Sequence, residues 1–135
     1  MPGRKVLVVD DDDDIREITG VALELMGGWS VVDTDRGATA VRLAVEEQPD
    51  LVLLDVMMPD LDGPGTFRLL QQDPRTRDIP VILLTAKVQV GEGRLWDDLA
   101  VAGVISKPFD PMGLVEQIDR LLERHRSAAR SRLSA

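Results

Sequence analysis

Asp50-Leu51-Val52-Leu53-Leu54-Asp55-Val56-Met57-Met58-Pro59 decides how this chain of 135 residues folds. Four large apolar residues run without a polar break, closed by an aspartate and a Met-Met-Pro turn. So short and continuous a run reads as a strand covered on both faces, and such strands belong to parallel sheets. Around residues 51–54 stand four more runs of the same kind, at 6–9, 30–34, 81–85 and 104–106. Between them the apolar residues change to a helical period. Ile15, Ile18, Ala22, Leu25 and Met26 mark one helix and its expected core face. Ala40, Val41, Ala44 and Val45 mark a second, and Phe67, Leu69 and Leu70 a third. Leu95, Trp96 and Leu99 mark a weaker fourth, and Leu114, Val115, Ile118, Leu121 and Leu122 a fifth.

The joins carry matching punctuation. Asp14 with Glu17 resembles a capping box, Asp12 and Asp14 are caps by residue type, and Gly27-Gly28 is a natural helix stop. Pro49-Asp50, Asp62-Gly63-Pro64 and Asp73-Pro74 interrupt the chain at other joins. Strand and helix alternating in this way imply a mostly parallel sheet with helices on both faces. Right-handed crossovers leave few topologies. The expected fold class is α/β, a flavodoxin-like doubly wound (βα)5 with a five-stranded parallel sheet in the order 2-1-3-4-5. That order makes the first and third strands neighbours where the winding reverses.

Lys and Arg total 16 against 24 Asp and Glu, a net charge of −8. The last 16 residues carry +4, from Arg120, Arg124, Arg126, Arg130 and Arg132 against Glu123, which leaves −12 on residues 1–119. So acidic a body argues against a nucleic-acid partner, which needs clustered Lys and Arg. It suits cations or basic partners. With no cysteine, disulfides, thiolate catalysis and iron–sulfur clusters are excluded, and a cytoplasmic location is expected. No apolar run approaches the roughly 18 residues of a membrane span, so no membrane partner is expected. Arg4-Lys5 leads into too short an apolar run for a secretory leader.

Ligands of an open α/β sheet sit outside the carboxyl ends of its strands. There the first strand ends in Asp10-Asp11, the third in Asp55, the fourth in Thr85, and the fifth runs into Lys107-Pro108. With neighbouring strands about 4.8 Å apart, the expected order gathers these groups at one edge. Two unit charges about 4 Å apart repel by roughly 4 kcal/mol at an effective dielectric of 20. Lys107 offsets one carboxylate, so either another holds a proton or a divalent cation binds. Oxygen ligands without His or Cys suit Mg²⁺. Asp55 is then a candidate nucleophile for an aspartyl-phosphate. The metal and Lys107 would offset phosphoryl charge, and the Thr85 hydroxyl would donate to one phosphoryl oxygen.

Val6-Leu7-Val8-Val9-Asp10-Asp11, the stretch 50–59, Leu83-Leu84-Thr85-Ala86 and Ser106-Lys107-Pro108-Phe109 resemble the receiver domain of two-component response regulators. The resemblance covers residues 4–124, with 125–135 as a basic tail, a helix extension or disordered. It implies a stand-alone, chemotaxis-regulator-like receiver in which Asp55 accepts a phosphoryl group from a sensor histidine kinase or a histidine phosphotransfer protein. It implies Mg²⁺ held by Asp11, Asp55 and the Met57 backbone carbonyl, with Asp10 acting through a metal-bound water. Thr85 would swing toward the phosphoryl group, Lys107 would pair with it, and the Lys107–Pro108 bond would be cis. Output would run through protein–protein contacts with an unknown downstream protein or through a phosphorelay. The only chemistry would be self-catalysed phosphotransfer and autodephosphorylation. One position departs from the pattern, because Val104 stands where the family usually carries Tyr or Phe.

Two rival readings share these residues. A phosphohydrolase of the haloacid-dehalogenase type also pairs an aspartate nucleophile with Mg²⁺, but needs a general-acid aspartate where Met57 stands. A receiver-like adaptor working unphosphorylated would keep the fold without the chemistry. Met57 and Lys87 are expected near the site mouth, tuning water access. Gly91-Glu92-Gly93 lacks the third glycine of a nucleotide fingerprint. His125 has no second ligand nearby, and Trp29 and Trp96 are expected to pack at helix ends.

Overall fold

The computed structural model describes residues 3–86 and 100–134. Its parallel strands are β1 (Lys5–Val9), β2 (Ser30–Thr34), β3 (Leu51–Asp55), β4 (Val81–Thr85) and β5 (Gly103–Ser106). They lie in one sheet in the order β2-β1-β3-β4-β5, the order expected from the sequence. The helices among the described residues are α1 (Asp13–Gly27), α2 (Gly37–Glu47), α3 (Gly63–Gln72) and α4 (Leu114–Ser134). The helix expected around Leu95, Trp96 and Leu99 lies outside the described residues, as do Lys87 and Gly91-Glu92-Gly93. The arginine-rich tail continues α4 as helix. None of the described helices is long and apolar enough to cross a membrane.

Side chains alternate across a strand, so each central strand feeds two cores. Val6, Val8, Leu51, Leu53, Ile82 and Leu84 pack with Leu23 of α1 and with Leu114, Ile118 and Leu122 of α4. Leu7, Val9, Val52, Leu54, Val81 and Leu83 face the other way, onto Ala40 and Ala44 of α2 and Phe67 and Leu70 of α3. This two-sided burial is why the runs carry no polar alternation.

Helix α1 corrects two expectations. Of the two expected caps Asp12 fills the role and Asp14, with its capping box to Glu17, does not: the Asp12 carboxylate accepts the N–H groups of Asp14 and Ile15 at 3.0 and 3.1 Å. Its buried residues are Thr19, Gly20, Ala22 and Leu23. Ile18, Leu25 and Met26, expected in the core, are 49, 80 and 47% exposed. Gly20 lies on the face packed against β2, where a Cβ would stand at an ordinary 3.5 Å from the Val31 side chain. Leu69 of α3, also expected inward, is exposed. At the far end Gly28 takes φ +65°, the left-handed conformation that stops the helix at the expected glycine pair.

Candidate functional site

Register brings the strand-end residues together. Val9 pairs with Leu54, so Asp10 and Asp55 leave neighbouring strands side by side. Thr85 pairs with Ser106, and the Lys107 N–H donates to the Thr85 carbonyl at 2.6 Å, extending the ladder by one residue. The Lys107–Pro108 bond is cis. Behind Asp55, α3 begins at Gly63, whose N–H donates to the Val56 carbonyl at 3.0 Å. A Cβ on Gly63 would lie 2.5 Å from the Asp55 carbonyl oxygen, so only glycine lets the helix start there.

The Lys107 ammonium bridges two carboxylates, 2.6 Å from Asp10 Oδ2 and 3.3 Å from Asp55 Oδ1. Asp10 is fully buried, and its other oxygen accepts the Asp12 N–H at 2.9 Å. Asp55 is buried, and its Oδ1 accepts the Met57 N–H at 3.4 Å. Asp11 is exposed at the rim. One carboxylate oxygen from each of Asp10, Asp11 and Asp55 lies within 4.8 Å of the other two. Thr85 is buried at the end of β4. The Met57 side chain is exposed, whereas Met58 is buried in the core. Val104, at the position of the family's aromatic residue, is half-buried against the core on the α2–α3 face.

Burial pushes the Asp55 carboxyl up to about 7, helped by the Asp10 charge and an Asp11 hydrogen bond and opposed by Lys107. Burial acts to lower the Lys107 ammonium, but Asp10 and Asp55 outweigh it and raise its pKa. The three carboxylates and one ammonium thus carry more negative charge than the pocket neutralises when all are ionised. A small hard dication fits this donor set, since it takes oxygen ligands and would replace the proton on Asp55.

Two sequence features take their place only in three dimensions. His125 lines a groove with Asp50 and Arg126 at the amino end of the sheet, away from the carboxylates. Arg16, passed over in the sequence, donates from Nη1 to the Asp10 carbonyl oxygen at 2.8 Å. Its only sequence signal is a cation in the first turn of a helix, where the macrodipole disfavours positive charge.

The family model for the response regulator receiver domain matches residues 6–119. The phosphate regulon transcriptional regulatory protein PhoB of Pseudomonas aeruginosa is 38% identical over 92% of this chain and 54% of its own length. The DNA-binding dual master transcriptional regulator RpaA of Synechocystis is 37% identical over 89% of this chain and 49% of its own. This chain therefore spans about half the length of these curated relatives. The chemotaxis protein CheY4 of Vibrio cholerae superposes with a TM-score of 0.81 at 25% identity, covering 89% of this chain and 99% of that one.

Proposed function

The chain belongs to the response regulator receiver family of two-component signalling, and on that premise we propose that Asp55 is its phospho-acceptor. The observation that carries the reading is the Asp10, Asp11 and Asp55 cluster gripped by Lys107 at the carboxyl edge of the sheet. The donor is a sensor histidine kinase or a histidine phosphotransfer protein. An ionised Asp55 oxygen attacks phosphorus, the P–N bond of the donor's phosphohistidine breaks, and imidazole leaves with the electron pair. Asp55 then carries an acyl phosphate. Lys107, already 3.3 Å from Asp55, holds positive charge where the phosphoryl oxygens arrive, and Thr85 supplies a hydroxyl from the adjacent strand end. Asp10, Asp11, Asp55 and the Met57 carbonyl would hold Mg²⁺, Asp10 through a water. The ion would supply charge neutralisation for the transferred group.

This chemistry serves signalling in the cytoplasm rather than substrate turnover. The aspartyl-phosphate adds about −1.5 to −2 of charge and biases the surrounding loops, and output runs through protein–protein contacts or onward transfer. Incubation with acetyl phosphate and Mg²⁺ is expected to add one phosphate-sized mass to the intact protein, labile in base, and none to Asp55→Asn. A full gain on Asp55→Asn, or none on the wild type, would overturn the assignment.

We assign the donor's docking surface to the outward face of α1. Ile18, Val21, Leu25, Met26 and Met112 line an apolar groove of about 330 Å³ along α1. Exposed apolar patches of this kind mark partner sites. Ile18→Glu with Leu25→Glu is expected to slow phosphotransfer from a kinase that labels the wild type at least roughly tenfold, while acetyl phosphate labelling stays unchanged. Equal slowing with both donors would place the dock elsewhere.

A further inference from the structure

Arg16 is a basic residue in an acidic first turn, and each of its three guanidinium nitrogens lies near an acceptor. Nη1 donates to the Asp10 carbonyl oxygen at 2.8 Å, Nη2 to Asp13 Oδ1 at 2.7 Å, and Nε lies 3.5 Å from Asp33 Oδ1 on β2. The Arg16 side chain is 19% exposed, while its carboxylate partners Asp13 and Asp33 stand open to solvent at 82 and 52%. From these contacts we infer that Arg16 is a positioning residue for the metal ligands, acting through the peptide that joins Asp10 to Asp11. The inference rests on the reading of Asp10, Asp11 and Asp55 as the Mg²⁺ site.

The two aspartates are secured very differently. The Asp10 carboxylate is pinned from two sides, by the Lys107 ammonium at 2.6 Å and the Asp12 N–H at 2.9 Å. The Asp11 carboxylate stands at the solvent rim. Apart from its hydrogen bond with Asp55, Asp11 is oriented by its backbone, and the oxygen of the peptide leading into it is held by Arg16. Asp13 and Asp33 in turn fix the guanidinium, tying the start of α1 to the edge strand. A peptide plane free to rock would spread the directions in which Asp11 leaves the chain, so closing the ligand set would cost ordering entropy. Groups behind metal ligands typically change affinity by about 10- to 100-fold when removed. Lysine cannot replace the fork, because a single ammonium lacks the spread of donors that reaches three separate acceptors.

Charge and position make opposite predictions, which makes the test sharp. Removing a nearby cation would by electrostatics alone tighten Mg²⁺ binding, and Arg16→Lys would by charge alone leave it unchanged. The positioning role requires both Arg16→Lys and Arg16→Gln to bind Mg²⁺ roughly tenfold more weakly than wild type. The melting temperature as a function of Mg²⁺ concentration gives that affinity, and its value without metal reports basal stability. Labelling by acetyl phosphate should need correspondingly more Mg²⁺ for half its maximal rate, with the same limiting rate once the metal saturates. Wild-type affinity in Arg16→Lys, tighter binding in Arg16→Gln, or a lowered limiting rate at saturating Mg²⁺ would overturn the inference. A wild type whose melting temperature ignores Mg²⁺ would instead sink the metal-site reading beneath it.

Discussion

Lys107→Met is expected to lower the melting temperature of the metal-free protein at pH 8 by roughly 10–20 °C, from a loss of about 3–5 kcal/mol. Asp10 is fully buried, and its strongest partner is the Lys107 ammonium at 2.6 Å. Taking that partner away leaves a carboxylate with no solvent and one remaining backbone donor, beside Asp55 and Asp11. Such a buried half-pair costs more than the intact pair contributes, because the penalty is the desolvation of the charge left behind. Mg²⁺ should recover more of the lost stability in Lys107→Met than it adds to the wild type, since a dication supplies the missing positive charge. Thermal melts with and without Mg²⁺ check both halves. A drop of only a degree or two would mean that Asp10 does not depend on Lys107.

Asp55→Asn carries the second large effect, with the opposite sign. The native carboxyl titrates at about 7 and its ordinary value is 3.8, because burial and the Asp10 charge disfavour the ionised form. Between those values the folded state binds more protons than the unfolded chain, so stability falls as pH rises. The contribution of the protonated group is complete below about pH 3.8, is lost across the interval, and levels off above about pH 7. In metal-free protein at pH 8 the neutral amide of Asp55→Asn avoids that loss and should raise stability by about 1–3 kcal/mol. Below about pH 3.8 the two proteins should melt nearly together, since Asp55 then holds its proton in both the folded and the unfolded state, and the gap should widen from there up to about pH 7. Mg²⁺ at pH 8 should close the gap by stabilising the wild type more. A melting difference independent of pH would show that Asp55 is ionised throughout and that the carboxylates do not share excess charge.

The apolar runs made the sheet legible because burial on both faces leaves no polar alternation, and the closing residues of those runs mark the edge where the carboxylates and the ammonium meet. Position along a strand converts directly into position in space when strands are parallel and in register. The orientation of α1 was not legible in the same way. Its sequence offers two apolar faces, and the larger residues, Ile18, Leu25 and Met26, pointed to the wrong one. Thr19, Gly20 and Leu23 are buried instead, together with the expected Ala22. Periodicity weighs hydrophobicity rather than the packing of a face against its neighbours, so the counting favoured the face that the fold leaves exposed.

Strand order, the residues at the carboxyl edge and the glycine that stops α1 were thus all written along the chain, through local chemistry and the topology it permits. Lys107 was expected at this edge, but its closest approach to Asp10, 97 positions away, and the grip of Arg16 on the Asp10 carbonyl are contacts that only the tertiary structure fixes. No local pattern encodes them, because a charged side chain has the same composition signature whether it waves in solvent or closes a buried pocket. Packing alone assigns it the second role, by removing the water that would otherwise have been its partner.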